Sequence, residues 1–436
     1  MIRTGCLLSA VWLFLSGVAM AGFWTEVTSM PDRPSLKSAS DGASLTMMPA
    51  SGLVYATKGG KTNDFYSYSP GTGAWLALAL VPEGPDLKQV KAGGCVATDR
   101  SFNVYLVKGG NTTEFYRYSV DTLAWRRMPD VPRGSSGKKV KAGDMVAMQL
   151  TGAANLYFLK AVANELYFFG TADTIWHQLS MPQNQVHYKW NSGSFLVFDG
   201  DHTIYAHKSK YHELWTYNIW NDSWCTTPLP GVPFVGTSGR STKCKVGSCG
   251  VFYDSYIYAL KGGNTGEFWR YDTASRKWAE METLPKFGSA GKRKGVKGGG
   301  DMVVADSAFY VLKGNKTREF WKYTPGDSWS QSDGRQSATA SSAFGARQAS
   351  LTVAPNPVIS GYATLSFTPR GGNSAAGPLQ VDIRNAAGQV VVSRTLGTGR
   401  EASSVTLDLR RLSAGVYLVN VTGDGLRATQ KLIVQR

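Results

Sequence analysis

The residues best suited to chemistry in this 436-residue chain are lysines and acids that recur at a regular spacing. One row of lysines lies three residues after a repeated tyrosine, and an acid follows each lysine five or six residues later. The pairs are Lys58 with Asp64, Lys108 with Glu114, Lys160 with Glu165, Lys208 with Glu213, Lys261 with Glu267 and Lys313 with Glu319. If each lysine ends one strand and each acid begins the next, the side chains face each other across a hairpin. We therefore predict structural ion pairs, which add little stability where they are exposed.

A second row of lysines has no matching row of acids. Each member precedes a glycine-rich or small-residue strand, and nearby Gly-Asn loops offer polar side chains. The members are Lys37, Lys91, Lys141, Lys189, Lys245 and Lys297, with Lys292 and Lys294 beside the last, and the loop asparagines are Asn111, Asn264 and Asn315. A concentrated positive rim attracts anions. Two interpretations stand side by side, namely an anion-binding surface and a solvated basic face.

Catalytic and metal-binding patterns are weak. The sequence contains no G-x-S-x-G elbow, no H-E-x-x-H motif and no phosphate-binding glycine loop. His202, His207 and His212 recur every five residues, but this spacing defines no metal geometry on strands, so we predict no metal and no cofactor. An enzyme is the less favoured interpretation. The cysteines after Cys6 are Cys95, Cys225, Cys244 and Cys249, which allow three disulfide pairings that the sequence does not distinguish.

The elements that must position the lysines are short strands in an internal repeat. The repeated tyrosines are Tyr55, Tyr105, Tyr157, Tyr205, Tyr258 and Tyr310, in steps of 50, 52, 48, 53 and 52 residues. A tryptophan closes each repeat: Trp75, Trp125, Trp176, Trp224, Trp278 and Trp329. Such a period with strand content predicts a propeller, here with six four-stranded units. Trp24 shares the tryptophan spacing, so we expect the N-terminal strand to pair near the last unit and help to close the ring.

The motifs resemble kelch repeats over residues 22–330. A strand ending in Gly-Gly is followed by a tyrosine and then a tryptophan, with Gly-Gly at 59–60, 109–110 and 262–263. The third and fourth repeats lack Gly-Gly, and the sixth has Gly314-Asn315. The resemblance implies an all-β fold, a six-bladed kelch-like β-propeller. Kelch propellers include a copper oxidase and a sugar epimerase, so a carbohydrate-active enzyme is the alternative that this resemblance brings.

The two ends of the chain indicate export. Residues 1–21 carry Arg3, an apolar run and Ala19-Met20-Ala21, which is typical of a cleaved signal peptide. Residues 331–350 are Ser-, Ala- and Gln-rich and predict a linker. Residues 351–436 predict a small antiparallel β-sandwich. They resemble the C-terminal sorting domain of the bacterial type IX secretion system in four pieces: Ala354-Pro-Asn-Pro357, Asp382-Ile-Arg-Asn-Ala-Ala-Gly388, Leu412-Ser-Ala-Gly-Val-Tyr417 and the final Thr429-Gln-Lys-Leu-Ile-Val-Gln-Arg436.

The resemblance implies the type IX machinery as partner and a secreted or outer-surface location on a Gram-negative bacterium. No further apolar stretch predicts a transmembrane segment after signal cleavage. The formal net charge of +16 favours acidic partners. Nucleic acid is not expected, because the interleaved basic and aromatic platforms that bind single strands are absent. We therefore expect a surface binding or adhesion protein that holds an anionic glycan or acidic protein, with a purely structural surface protein as a further alternative.

Overall fold

The chain is built from strands and turns wherever the computed structural model describes it. The described residues are 22–99, 102–150, 153–326, 347–356, 358, 361–369, 379–384, 390–396, 404–423 and 426–435. Within them the structure has no α-helix and one 3-10 turn, Ala161–Ala163. The expected signal peptide, Trp329 and residues 331–346 of the expected linker lie outside this part. None of the described helices has the length and apolarity that a membrane span requires.

Six antiparallel sheets of four strands occupy the described residues between 22 and 326, and the fourth carries a short extra strand. The first is β2 (Ser44–Met48), β3 (Leu53–Thr57), β4 (Phe65–Ser69) and β5 (Ala74–Ala77). The second is β6 (Cys95–Thr98), β7 (Asn103–Val107), β8 (Phe115–Ser119) and β9 (Ala124–Met128). The third is β10 (Asp144–Leu150), β11 (Ala153–Lys160), β12 (Glu165–Gly170) and β13 (Trp176–Leu179).

The remaining three sheets follow the same order. The fourth is β14 (Phe195–Phe198), β15 (Thr203–Lys208), β16 (Glu213–Asn218) and β17 (Ser223–Trp224), with β18 (Leu229–Pro230) also on β16. The fifth is β19 (Cys249–Tyr253), β20 (Tyr256–Leu260), β21 (Phe268–Asp272) and β22 (Lys277–Glu280). The sixth is β23 (Asp301–Ala305), β24 (Ala308–Leu312), β25 (Phe320–Thr324) and the N-terminal strand β1 (Phe23–Val27).

The first strands of the six sheets contact one another in cyclic order, β2, β6, β10, β14, β19, β23 and back to β2. Small residues permit this approach. A Cβ on Gly42 would lie 2.1 Å from the Lys91 carbonyl oxygen of the next sheet, and Gly42 has a φ of 88°. Such contacts favour glycine on both steric and backbone grounds. The cyclic order and the all-β content fit a propeller-like fold.

Large aromatic side chains fill the spaces between neighbouring sheets. Tyr68 of the first sheet packs on Phe320 of the sixth with ring centroids 4.9 Å apart, and Phe65 packs on Tyr118 of the second at 5.1 Å. Edge-to-face pairs of this kind stabilise beyond the area they bury. The repeated tyrosines Tyr55, Tyr105 and Tyr258 are each buried. The aromatic repeat therefore belongs to the core.

The closing tryptophans link each sheet to the one before it. In every described case the indole Nε1 donates to a backbone carbonyl of the chain that leaves the preceding sheet. The bonds are Trp24 to Glu282 at 2.7 Å, Trp75 to Thr28 at 2.8 Å, Trp125 to Ala79 at 2.9 Å, Trp176 to Pro129 at 2.9 Å, Trp224 to Ser180 at 2.8 Å and Trp278 to Pro230 at 2.8 Å. Strand β1 pairs antiparallel with β25, from Phe23 opposite Thr324 to Val27 opposite Phe320. The N-terminal strand is thus the outermost strand of the sixth sheet.

The C-terminal part forms a separate path of seven strands in the order β29-β28-β31-β32-β26-β27-β30. They are β26 (Arg347–Ala354), β27 (Tyr362–Pro369), β28 (Leu379–Arg384), β29 (Val390–Leu396), β30 (Ser404–Asp408), β31 (Gly415–Gly423) and β32 (Leu426–Val434). Both halves of this path bury side chains in one apolar cluster, for example Leu365 and Val381.

Two expectations for this part need correction. Strand β26 begins at Arg347, inside the segment 331–350 that composition predicted as linker. Its pairing is also not purely antiparallel, because Arg347 and Gln348 pair in parallel with Leu426 and Arg427 of β32. That pairing joins residues far apart in the chain, so local composition carries no signal for it.

Candidate functional site

The six lysine–acid pairs lie at one end of the six sheets. Each lysine ends or directly follows the second strand, and each acid begins or directly precedes the third. The Nζ to carboxylate distances are 2.6 Å for Lys58–Asp64, 3.0 Å for Lys108–Glu114, 2.8 Å for Lys160–Glu165, 3.6 Å for Lys208–Glu213 and 2.5 Å for Lys261–Glu267, and Lys313 contacts Glu319 as well. All six lysine side chains are at most 1 % exposed. The expectation of little added stability was made for exposed pairs, whereas the loss of one partner from a buried pair leaves an unpaired charge and is costly.

Burial of these charges is compensated by the loops that lead from one sheet to the next, which we call the inter-sheet loops. They span residues 28–43, 78–94, 129–143, 180–194, 231–248 and 281–300. Lys58 Nζ donates to the Asp32 carbonyl oxygen at 2.8 Å, and Lys261 Nζ donates to that of Phe234 at 3.1 Å. The Ser136 amide donates to Glu165 at 2.8 Å. Each pair therefore clamps a loop, and sequence spacing had no signal for this role.

The hydrogen bonds also perturb the titration of the acids. Burial by itself raises the pKa of Asp64, but hydrogen bonds from Lys58 and Ser35 outweigh it and hold the net pKa below its usual value. Burial similarly opposes the hydrogen bonds from Lys160 and Ser136 to Glu165, whose net pKa is also lowered. Both carboxylates are therefore ionised at neutral pH. A charged pair with loop carbonyls as further partners satisfies the rule that buried charges need compensation.

The lysines of the second row do not all occupy equivalent positions in the six sheets. In five sheets, the loop before the first strand contains a residue whose backbone carbonyl accepts a hydrogen bond from the amide three residues later, and we take these residues as structurally equivalent. These residues are Ser40, Lys91, Asn191, Lys245 and Lys297, with bonds of 2.6 to 3.0 Å. Lys141 follows Val140 as Lys91 follows Val90, and both valines accept from the loop of the preceding sheet. Lys37 and Lys189 lie three and two residues before their sheet's equivalent position, because the inter-sheet loops differ in length. We correct the expected row to four lysines.

Three further lysines complete this rim, and sequence reasoning missed them. Lys61, Lys210 and Lys316 each donate a backbone amide bond of 3.0 Å to the inter-sheet loop of the next sheet. Asn111 and Asn264 make the same bond in their own sheets at 2.8 and 2.7 Å. The sequence could have identified these lysines, because they occupy the position of the asparagines in the loop between the second and third strands. We call Lys61, Lys91, Lys141, Lys210, Lys245, Lys297 and Lys316 the lysine rim.

The rim lysines are exposed, and none of them forms an ion pair within the part of the chain that the structure describes. The asparagine side chains that we expected to contact a ligand are partly engaged in hydrogen bonds within the protein. Asn315 Nδ2 donates to Asn264 Oδ1 at 2.7 Å and to the Gly295 carbonyl oxygen at 2.8 Å. Those two amides bind each other across neighbouring sheets, which reduces their capacity for a ligand. Lys292 is exposed and Lys294 is partly exposed in the adjacent inter-sheet loop.

A cavity of about 160 Å³ lies beside four of the rim lysines, because residues one or two positions after Lys91, Lys141, Lys245 and Lys297 line it. It is lined mostly by glycines and serines at the starts of the first strands, together with Asp41, Asp144 and Asp301. Asp301 accepts bonds from Ser44 Oγ at 2.8 Å and from the Leu45 amide at 2.7 Å. Burial raises the pKa of Asp301 to about 6 despite these bonds. Anions that reach the rim therefore meet carboxyl groups further in.

The cysteines and histidines do not assemble a reactive centre in the described part of the chain. The four cysteines there are free, and burial raises the pKa of Cys95 and Cys249. His207 is fully buried and stacks on Phe195 with ring centroids 4.8 Å apart, and burial lowers its pKa to about 3. His202 instead contacts Asp201 at 2.7 Å. No described group of His, Cys, Asp and Glu has the arrangement of a metal site.

The two ends of the six sheets differ in charge. We call the end with the inter-sheet loops and the lysine rim the lysine end. The turns at the other end, between first and second strands and between third and fourth strands, carry acids: Asp99, Asp121, Asp173, Asp199, Asp201, Asp222, Asp254, Asp272 and Asp306. We call it the aspartate end. This separation of charge creates a field that favours approach of an anion to the lysine end.

Comparison with known proteins identifies one part of the chain. Residues 352–435 match the family described as the secretion system C-terminal sorting domain. A comparison with curated protein sequences finds no match. The chain is similar to the crystal structure of a triple-arginine mutant of AofleA from Arthrobotrys oligospora, with 10% sequence identity, a TM-score of 0.41, and 89% of this chain and 92% of that chain covered. The sorting domain indicates export through the type IX system to the cell surface or exterior of a Bacteroidetes-type bacterium.

Proposed function

We propose that residues 22–330 form a six-bladed kelch-like β-propeller that binds an anionic ligand, a glycan or an acidic protein, at its lysine end. The propeller assignment is supported by the six four-stranded sheets, the cyclic contacts of their first strands and the row of inter-sheet tryptophan bonds. The C-terminal strands, with apolar residues of both halves in one cluster, support a β-sandwich as the sorting domain. An exported surface protein with such a propeller acts by binding outside the cell.

The observation that carries the proposal is the lysine rim. Seven exposed lysines lie at this end without acidic partners among the described residues, and four of them stand one or two residues before a residue that lines the cavity. The lysines with a described ion pair are those of the six buried pairs and Lys139, which pairs with Asp86. The rim lysines are not among them, so their charges remain exposed at the lysine end. Its field draws polyanions, and exposed charges act together within about 8 Å at physiological salt.

Removal of rim charge tests the proposal. We expect Lys91→Gln, Lys141→Gln and Lys297→Gln together to lower the affinity for a uronic-acid or sulfated glycan roughly tenfold, and to reduce its salt dependence. Thermal stability should change little, since exposed sites usually contribute about 0.5 kcal/mol or less. Binding is measured by titration of the purified full chain at two salt concentrations.

A control removes the same charge elsewhere. Arg126, Arg276 and Lys277 are exposed and lie away from the lysine end, so their replacement by Gln lowers net charge equally. We expect that triple variant to keep most of the affinity. Equal losses in both variants would mean that only net charge matters. A wild-type chain that binds no polyanion at low salt would reduce the rim to a solvated face.

A further inference from the structure

We propose that the lysine end docks on an anionic lipid surface, with exposed apolar side chains of the inter-sheet loops entering the lipid interface. The inference rests on the anion binding proposed for the same end and adds the kind of partner. Lysines alone fit any polyanion, soluble or not. The apolar side chains beside them require a partner with an apolar layer under its charges.

The carrying observation is a pair of exposed leucines. Leu36 and Leu87 have 67% and 77% of their surface exposed and lie at the tips of two inter-sheet loops. Their φ angles are 58° and 47°, in the left-handed region that disfavours a leucine. The equivalent tips of the third, fifth and sixth sheets carry Gly137, Gly239 and Gly291, also at positive φ. In two loops the chain thus places a large apolar side chain where glycine fits better and where most of that side chain stays exposed.

More exposed apolar residues share this end. Val186 and Tyr188 are 82% and 64% exposed in the inter-sheet loop of the fourth sheet, and Phe287 is 64% exposed in that of the sixth. Val235 adds 53% in the fifth. Five of the six inter-sheet loops therefore present an apolar side chain at the lysine end. Scattered single apolar residues are ordinary, and the aspartate end has some as well, such as Trp220 at 67% and Ile175 at 52%. The lysine end differs because these residues recur in five of its six inter-sheet loops, which favours an interaction surface there.

Basic residues are interleaved with these apolar tips. The residue after each left-handed tip is basic and exposed in all five loops: Lys37, Lys88, Lys138, Arg240 and Lys292. Lys189 follows Tyr188 in the remaining loop. Apolar side chains that enter the acyl boundary beside lysines that meet acidic headgroups are the two components of interfacial binding. The charge complementarity selects an acidic lipid surface over a neutral one.

The tips stand on rigid supports. The Ser35 Oγ atom donates to Asp64 at 2.6 Å, and the Asp86 amide donates to Glu114 at 3.1 Å. In both loops the acid of the buried pair thus holds the residue directly before the exposed leucine. Binding then costs little ordering of the loop, which favours affinity. Six loops anchored in one ring also place several tips on the same side of the molecule.

The test compares lipid vesicles with a soluble polyanion. The purified full chain is sedimented with vesicles of phosphatidylcholine, alone or mixed with phosphatidylglycerol, and titrated separately with dextran sulfate. The variant Leu36→Gly with Leu87→Gly should fold, because glycine accepts both positive φ angles. We expect its affinity for mixed vesicles to fall roughly tenfold or more through lost apolar contact. Its affinity for dextran sulfate should not change.

Leu123 provides a matched control. It is 62% exposed with a φ of 54°, but it lies in a turn of the aspartate end. Leu123→Gly should therefore leave vesicle binding unchanged. Equal vesicle affinity of the wild type and the double-leucine variant would overturn the lipid proposal, as would equal binding of the wild type to neutral vesicles. Binding to dextran sulfate without binding to any vesicle would overturn it while leaving the proposed function intact, and failure to bind either would remove both.

Discussion

The buried lysine–acid pairs set the energetics at the residue scale. Lys261 has a side chain that is 0% exposed and touches the carboxylate of Glu267 at 2.5 Å. Attraction between such groups is offset by the cost of taking both from water, so an intact pair adds little net stability. The pair affects the free energy of unfolding mainly when one partner is lost, because the other charge then stays buried without a counter-charge. After loss of Glu267 the buried ammonium keeps the loop carbonyl of Phe234 at 3.1 Å and the ring of Trp269 at 5.4 Å, and both of these neighbours are uncharged.

We predict that Glu267→Ala lowers the free energy of unfolding by about 3–5 kcal/mol, the usual cost of leaving one buried charge unpaired. The double variant Lys261→Met with Glu267→Ala should lose less than the sum of the single variants, because it removes the orphaned charge. Urea unfolding of the four proteins measures the cycle.

The exposed pair of Arg127 and Asp130 is the control for this cycle. Both side chains are well exposed, at 46% and 39%. Asp130→Ala should therefore cost at most about 1 kcal/mol. If Glu267→Ala proves no more costly than Asp130→Ala, the burial of the pair does not control its energetics, and the clamp on the inter-sheet loop is not needed for stability.

At the scale of elements, the molecule depends on bonds between consecutive sheets. Each described closing tryptophan donates to the chain leaving the preceding sheet, and Trp24 makes this contact from the N-terminal strand to Glu282 of the fifth. Trp24 also packs on Phe268 of the fifth sheet, with ring centroids 5.3 Å apart. Strand β1 therefore closes the outer edge of the sixth sheet and bonds that sheet to its neighbour.

Deletion of residues 22–28 tests the role of β1. Without it, strand β25 presents unpaired backbone groups at an open edge, which is a template for association with another copy. We predict a lower melting temperature and concentration-dependent self-association in size-exclusion chromatography. The variant Phe23→Ser is the matched control, because Phe23 is half exposed and its backbone pairing with Thr324 needs no side chain. A monomeric deletion variant of unchanged stability would contradict the closure role.

The elements were largely predictable because their signals are local. Alternating aromatic and β-branched residues around Tyr258, bounded by Gly262-Gly263, predict β20, and the structure has it from Tyr256 to Leu260. Contacts between distant segments gave no such signal. The first residues of strand β26 fall in a segment without periodicity. They could not be predicted as a strand from local sequence, because the partners β27 and β32 follow later in the chain.

Site residues were harder to predict than elements. The spacing of Lys58 and Asp64 shows that they can meet, but not that the Asp32 carbonyl folds over them. Unequal loop lengths shifted Lys37 and Lys189 out of the expected row, since the row was defined only by each lysine preceding a strand and not by a fixed distance from it. The exposure and positive φ angles of Leu36 and Leu87 could not be predicted from the sequence, because their backbone conformation depends on loops anchored by the buried pairs.

The whole molecule combines a charged ring of sheets with an export domain. Within the described residues, no strand of the seven-stranded path pairs with any strand of the six sheets. Each part also has its own apolar clusters, such as the one around Val381 and Leu365 in the C-terminal part. Parts with separate cores and separate hydrogen-bond networks can fold independently. The sorting domain therefore accounts for location, and the six sheets carry the surface that we propose to act there.

This separation gives the last prediction. Deleting residues 347–436 removes the sorting domain with all of β26, whereas deletion from 351 would leave half of that strand unpaired. We expect a chain that remains folded, because no pairing of the six sheets is lost, but that stays in the periplasm because the type IX machinery has no domain to recognise. Surface proteolysis and cell fractionation measure location, and circular dichroism with thermal melting measures folding. The variant Tyr362→Ser changes an exposed residue of β27 and should reach the surface. Normal surface display of the truncated chain would contradict the sorting role, and loss of its cooperative melting transition would contradict independent folding.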